Sequence, residues 1–267
     1  MIIIQDVSVV FGTDTSAVHA LERVSMDIYE REFISIIGPS GCGKSTFLNL
    51  LGGLIDTTSG RLLFQGKPLS HLNQKGRLGY VFQEAVLLPW RNVIDNLLLS
   101  IEVLGKNRNN YRKRARELLE LVGLKEFEHA SPDQLSGGMK QRACIARALI
   151  FDPSILLMDE PFGALDEITR TRMNIELQDI WLETEKTIVF VTHSVQEAAF
   201  LSDRVAVMSS RPGRIIATVE IPFQRPRSID LLSEPRFLKI TSELRNHLYG
   251  SFDEEDDSWG KRPKSKA

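Results

Sequence analysis

Five short runs of apolar, mostly β-branched residues punctuate the chain: Phe33–Ile37, Leu78–Phe82, Ile155–Met158, Thr187–Val191 and Val205–Met208. Strands covered on both faces of a parallel sheet carry apolar residues without alternation, so these runs predict such a sheet. Between them the pattern changes to helical periodicity, at Phe47–Leu51, Val93–Val103, Tyr111–Val122, Met139–Ile150 and Leu165 to about Leu182. Strands and helices in alternation place helices over the faces of that sheet. Residues 2–11 and 20–28 instead alternate apolar with polar, Val24, Met26 and Ile28 sharing one face, with Gly12-Thr13-Asp14 between them. This is the signature of antiparallel strands, expected here as a small flanking sheet. Arg61–Gln65 reads as one more strand after the turn Thr57–Gly60. The expected organisation is one α/β domain over residues 1–220, with a helical lobe at about 87–150 inserted between its strands. Past Glu220 the pattern weakens to an extension over 221–267, holding a helix-like stretch Pro235–Leu248. The acidic Asp253–Asp257 and basic Lys261–Lys266 are expected to form a solvated, mobile tail.

Composition narrows the partners more than the fold. A net charge of -2 over 267 residues gives no electrostatic reason to expect nucleic acid as a partner. The two cysteines, Cys42 and Cys144, suggest no disulfide framework, so reduced thiols in a cytosolic protein are expected. The first residues lack a basic segment before an apolar one, and no stretch reaches the ~18 uncharged apolar residues of a membrane span. Any membrane role is therefore expected to run through a partner.

The chemistry concentrates in the link from the first buried strand to the helix at Phe47. Gly38-Pro39-Ser40-Gly41-Cys42-Gly43-Lys44-Ser45, followed by Thr46, matches the phosphate-binding pattern G-x-x-x-x-G-K-[ST] in full. Gly41 and Gly43 let the backbone turn its N–H groups toward a phosphate, and the helix starting at Lys44 adds its positive end. Lys44 supplies a charge for the β- and γ-phosphates, and the Ser45 hydroxyl a hard oxygen for Mg²⁺. A buried strand ends in Asp159-Glu160, two acids at the ligand-binding edge of such a sheet. Asp159 is assigned to the Mg²⁺ shell and Glu160 to orienting and deprotonating the attacking water. Gln83 ends another strand, where its amide reaches toward metal or water. His193 stands at a strand–helix corner before Ser194-Val195-Gln196-Glu197, which reads as a capping box. Ser136-Gly137-Gly138 opens a second helix start suited to an anion, within the helical lobe and apart from the first. Two half-sites for one ligand on one chain imply a head-to-tail pair of chains, each completing the other's site.

These motifs, in this order, resemble the ATP-binding cassette ATPases over about residues 1–220. GPSGCGKST is similar to the Walker A loop, Gln83 to the Q-loop glutamine and LSGGMKQR to the signature motif. ILLMDEP is similar to Walker B, Ala164-Leu165-Asp166 to the D-loop and His193 to the switch histidine. The resemblance implies a P-loop (RecA-like) core, ATP and Mg²⁺ as ligands, and Gln83 as a metal contact and catalytic residue. It further implies Phe11 as the aromatic that stacks on adenine, and Ser136, Gly137, Gly138 and Asp166 as residues completing the partner's nucleotide site. Met139 differs from the glutamine frequent at that signature position. Leu87-Leu88-Pro89-Trp90, PFGALD and the segment Met208–Ile215 resemble the importers of nitrate, sulfonate, taurine or bicarbonate more narrowly. The implied partners are a second copy or close paralogue, a membrane-embedded permease and, indirectly, a solute-binding protein. The alternatives are an importer ATPase for another small solute, or a soluble cassette ATPase acting on nucleic acid or ribosomes. The second kind usually carries two cassettes, a long coiled-coil insertion or basic arms, and none is present here.

Overall fold

The computed structural model describes residues 1–12, 17–68 and 76–253. The Thr13-Asp14 part of the first turn, the acidic run after Asp253 and the basic Lys261–Lys266 lie outside the described residues. Strands β1 (Ile2–Phe11), β2 (Val18–Ile28), β4 (Ser59–Phe64) and β5 (Lys67–Pro68) form an antiparallel sheet in the order β2-β1-β4-β5. A second sheet takes β3 (Phe33–Ile37), β6 (Leu78–Val81), β7 (Ile155–Asp159), β8 (Thr187–Val191), β9 (Arg204–Met208) and β10 (Ile215–Glu220). Its order is β10-β9-β3-β8-β7-β6, parallel throughout except for the β9–β10 hairpin.

The unbroken apolar runs are explained by what covers each face. Helix α1 (Lys44–Leu51) lies between the two sheets. Its Phe47, Leu48, Leu50 and Leu51 pack with Ile34, Ile36, Ile155, Leu157, Val189 and Val191 of the parallel sheet. They also meet Ile2, Ile4, Leu21, Val24 and Ile28 of the antiparallel one. The opposite face of the parallel sheet, with Phe33, Leu156, Met158, Ile188, Phe190 and Val205, belongs to the second core cluster. Helices α2 (Val93–Val103), α3 (Arg112–Leu121) and α4 (Gly137–Leu149) share that cluster through Leu97, Leu98, Leu118, Leu119 and Ile145. Each such side chain contributes about 1.5–3 kcal/mol when fully buried, so α1 and the loop before it are held from both sides.

Two element boundaries differ from the sequence expectation. Helix α5 (Glu167–Thr184) starts after Leu165 because the Asp166 carboxylate accepts the Thr169 N–H at 3.0 Å, which makes Asp166 the N-cap. Strand β6 stops at Val81, and the Phe82 ring stacks on Tyr80 with centroids 4.4 Å apart. A complete capping box forms at Ser131–Gln134, ahead of Ser136. Beyond β10, helix α7 (Pro235–Asp253) follows a strap in which the Arg227 guanidinium is buried against backbone carbonyls.

Candidate functional site

The phosphate loop spans the gap from β3 to α1 with its backbone set by close neighbours. Gly43 has φ +111°, and a Cβ there would lie 2.7 Å from the Ala20 carbonyl, so only glycine fits without displacing β2. Ser40, Gly41, Gly43, Lys44, Ser45 and Thr46 line a cleft of about 330 Å³, joined by Ala20, Gln83, Glu160 and Arg211. The Lys44 ammonium donates to the carbonyls of Gly38 and Pro39, both at 2.9 Å, which fixes it over the loop.

The two acids at the end of β7 point to different partners. Asp159 Oδ1 accepts the Ser45 hydroxyl at 3.2 Å. Burial raises the Asp159 pKa, the Ser45 hydrogen bond opposes this, and the neighbouring Glu160 charge adds to it. Glu160 has φ +42°, rare for a residue with a side chain. Its N–H donates to the Val191 carbonyl, and its Oε2 meets His193 Nδ1 at 3.1 Å. A carboxylate oxygen accepts, so in that pairing Nδ1 is the donor.

The corner that carries His193 departs from a simple capping box. The Ser194 hydroxyl does accept the Glu197 N–H, at 3.2 Å, and starts α6 (Val195–Leu201). The Glu197 carboxylate, however, takes the Thr192 hydroxyl, and Thr192 Oγ1 accepts the Ser194 N–H in its place. A threonine one residue past the end of β8 has displaced the N-cap backbone from the glutamate. Burial raises the Glu197 pKa to about 6, against the opposing effects of the Thr192 bond and the Arg170 charge. The folded chain thus keeps this proton to higher pH than the unfolded chain. Its stabilisation is full below about pH 4.5 and is lost as pH rises through about 6. Glu197→Gln is expected to raise stability at pH 7.5 by about 2 kcal/mol and to leave it unchanged near pH 4, measured by urea unfolding at both values.

Not every expected site residue lies on this cleft. Gly38 and Cys42 belong to the loop but not to the cleft wall, and Phe11, 45 % exposed at the end of β1, does not line it. Ser136, Gly137, Gly138 and Asp166 also lie off it. Ser136 Oγ accepts the Met139 N–H at 3.3 Å as the N-cap of α4. Gly137 and Gly138 pack on Leu165 and Thr169, where a Cβ on Gly138 would lie 3.3 Å from Thr169. That pair of glycines thus brings the start of α4 onto the start of α5 in the same chain.

Arg211 was not expected at the site. Its Nε and Nη2 donate to the Gly41 carbonyl at 3.2 and 3.0 Å, and it lines the cleft. The loop that carries it is tied down on both sides, Gly213 N–H to the Ala20 carbonyl and Arg214 to Glu22 Oε2 at 2.8 Å. Gly213 is closer still, since a Cβ there would lie 2.3 Å from the Cys42 carbonyl. The one signal in the sequence was the segment Met208–Ile215, and nothing local in it points across to the phosphate loop. Arg211→Ala is expected to weaken ATP binding about tenfold, as loss of a charge-assisted contact does, with little change in turnover at saturation, measured by nucleotide titration and phosphate release.

Residues 21–163 match a family model described as ABC transporter. The taurine import ATP-binding protein TauB of Rhizobium johnstonii is 48 % identical, over 88 % of this chain and 91 % of that protein. The nitrate import ATP-binding protein NrtD of Synechococcus elongatus is 43 % identical, over 92 % of this chain and 91 % of that protein. A solved dimeric ATP-binding cassette, in a post-hydrolysis state bound to ADP and Pi, superposes with a TM-score of 0.72 at 32 % identity. It covers 84 % of this chain and 100 % of its own. With a phosphate loop, an acid pair and a histidine on one sheet edge, and relatives matched along nearly their whole length, the chain belongs to the ABC transporter family of ATP-hydrolysing proteins.

Proposed function

We propose that the chain is the ATPase subunit of an importer for a small anion such as nitrate, a sulfonate, taurine or bicarbonate, acting as a pair of copies. The observation that carries this is the split between two half-sites. Lys44, Ser45, Gln83 and Glu160 share one cleft, with Asp159 bonded to Ser45 and His193 to Glu160, while Ser136–Gly138 lies off it. The loop amides and Lys44 hold the β- and γ-phosphates. Glu160 takes the proton of the attacking water, and His193, fixed by the Thr192–Glu197 contact, orients Glu160 and the γ-phosphate. The Ser136 segment of a second copy closes the site from outside, with Asp166 beside it.

The residues present fit Mg²⁺. Ser45 and Asp159 converge as two hard oxygens, and among the described residues no group of three His, Cys, Asp or Glu side chains is placed to hold a metal. A cation that takes most of its ligands from phosphate and water suits such a sparse donor set, whereas a metal wanting a protein cage does not. When bound, Mg²⁺ neutralises charge on the phosphate oxygens; Ser45, Asp159 and Gln83 would hold it.

Among the described residues no helix is long and apolar enough to cross a membrane. Phe82, Val86 and Trp90, 49 %, 54 % and 76 % exposed, are apolar side chains open to solvent close to Gln83 in sequence. A helix of a membrane-embedded permease docked there would sense the γ-phosphate through Gln83 and hold the chain at the inner face of the membrane. The test is to copurify the chain with that permease, reconstitute both in liposomes and measure ATP turnover with solute-loaded binding proteins. Stimulation by a binding protein loaded with a small anion supports the assignment. Stimulation only by a different solute class overturns the anion, and failure to form any complex overturns the importer role.

A further inference from the structure

The turn that leads from Glu160 into α5 is tied from outside by Arg170. Within the turn, the Gly163 N–H donates to the Glu160 carbonyl and the Leu165 N–H to the Phe162 carbonyl, each at 3.1 Å. Arg170, near the start of α5, reaches back over it. Its Nη2 donates to the Leu165 carbonyl at 2.7 Å and its Nε to the Phe162 carbonyl at 3.3 Å. Neither bond is needed to start the helix, because Asp166 already caps it through the Thr169 N–H. A planar guanidinium spans two carbonyls from one edge, which an ammonium cannot. Glu160 itself has φ +42°, a conformation that persists where the surroundings hold it. The Phe162 side chain, 1 % exposed, wedges the same turn against Phe190 of β8, with ring centroids 6.0 Å apart.

The same side chain has a second neighbour behind the site. Arg170 and Glu197 line one cavity, of about 470 Å³, between α5, α6 and the turn Ile229–Ser233. Burial raises the Glu197 pKa, and the Arg170 charge is one of the influences that oppose it. Glu197 takes the hydroxyl of Thr192, the residue before His193. Arg170 therefore serves both corners whose side chains, Glu160 Oε2 and His193 Nδ1, meet at 3.1 Å. It does not line the Lys44 cleft. We infer that Arg170 is a positioning residue for hydrolysis, fixing the turn after Glu160 so that its carboxylate stays on His193 and within reach of the attacking water. This rests on the reading of Glu160 as the base. Loss of Arg170 then falls on turnover and leaves ATP binding alone, because the phosphate loop is untouched while a catalytic group shifted by about 1 Å can cost about 10²-fold in rate.

The test is Arg170→Ala in the full chain, made both in the parent and in the Glu160→Gln background. In the parent, phosphate release at saturating ATP and Mg²⁺ is expected to fall about 10²-fold. In the Glu160→Gln background, single-turnover phosphate release is expected to fall no further, since a residue that acts through Glu160 has nothing left to position. That double variant is also expected to keep the ATP affinity of Glu160→Gln and its ATP-dependent pairing. Should alanine prevent folding, Arg170→Lys keeps the charge and one of the two bonds. It is expected to lose turnover about tenfold in the parent, as loss of one charge-assisted bond does, and nothing more beside Glu160→Gln. Parental turnover in Arg170→Ala, or in Arg170→Lys where alanine does not fold, overturns the inference. So does a loss as large in the Glu160→Gln background as in the parent, which a purely structural role would give. Loss of ATP-dependent pairing overturns it too, by moving Arg170 to the interface between copies. Glu160→Gln alone tests the reading beneath: unchanged turnover there ends both. A slow Glu160→Gln beside a parental Arg170→Ala ends this inference only.

Discussion

Glu160→Gln is expected to cut ATP turnover by about 10²–10⁴-fold, the range that loss of a positioned general base produces, while ATP still binds. Glutamine keeps the shape of the side chain and a carbonyl oxygen for His193 but cannot take a proton at neutral pH. The geometry leaves no substitute at that position. Asp159, the neighbouring acid, faces Ser45, and Glu197 is occupied with Thr192. The backbone of Glu160 at φ +42° turns its carboxylate out of line with Asp159 and onto His193, and strained conformations of this kind persist where the surroundings hold them for a purpose. Phosphate release at saturating ATP is the measurement. A loss below about tenfold would show that the proton leaves by another route and would return Glu160 to a structural role.

Arg227→Ala is expected to destabilise the fold by about 3–5 kcal/mol, since it orphans several buried carbonyls at about 1–3 kcal/mol each. The side chain is 4 % exposed. Its Nη1 donates to the carbonyls of Ala199, Phe200 and Ser202, at 3.3, 2.8 and 2.9 Å, and its Nη2 to those of Ile221 and Phe223. The first three are the free carbonyls at the end of α6, where a cation also meets the negative pole of the helix. Burial lowers the guanidinium pKa to about 9, so it remains a cation at neutral pH. Alanine would leave these carbonyls without a donor in a place water does not reach. Arg227→Lys is expected to recover only part of the loss, because an ammonium has three donors on one atom and cannot span both groups of carbonyls. Urea unfolding checks both variants, and a loss under about 1 kcal/mol for Arg227→Ala would show that the strap contributes little.

The parallel sheet was legible because burial on both faces forces residues such as Ile34, Ile36, Ile37 and Ile155–Met158 to be apolar, whatever their distant neighbours. The cleft was legible where its chemistry is local: the loop from Gly38 to Thr46, and Asp159-Glu160 at one strand end. What escaped depends on contacts between segments far apart in the chain. Arg211 reaches the Gly41 carbonyl from a hairpin 170 residues later, and no periodicity announces that. Arg227 sits in a Pro-Arg stretch whose polarity reads as exposed, yet it is one of the most buried charges in the molecule. The Ser194 motif was read correctly at the serine and wrongly at Glu197, since the competing hydroxyl of Thr192 lies just outside the four-residue pattern. Gly138 was read as room for a phosphate, and its packing on Thr169 adds a second reason for glycine that only the tertiary contact shows.

Composite sites stand or fall with the second copy. Sedimentation equilibrium of the Glu160→Gln chain, with and without saturating ATP and Mg²⁺, measures that directly, alongside the Glu160→Gln, Ser136→Arg double variant. The account predicts a monomer without nucleotide, a dimer with it, and a return to monomer when Ser136 is replaced. A Glu160→Gln chain that stays monomeric at saturating ATP, or a double variant that dimerises as well as the single one, would contradict it.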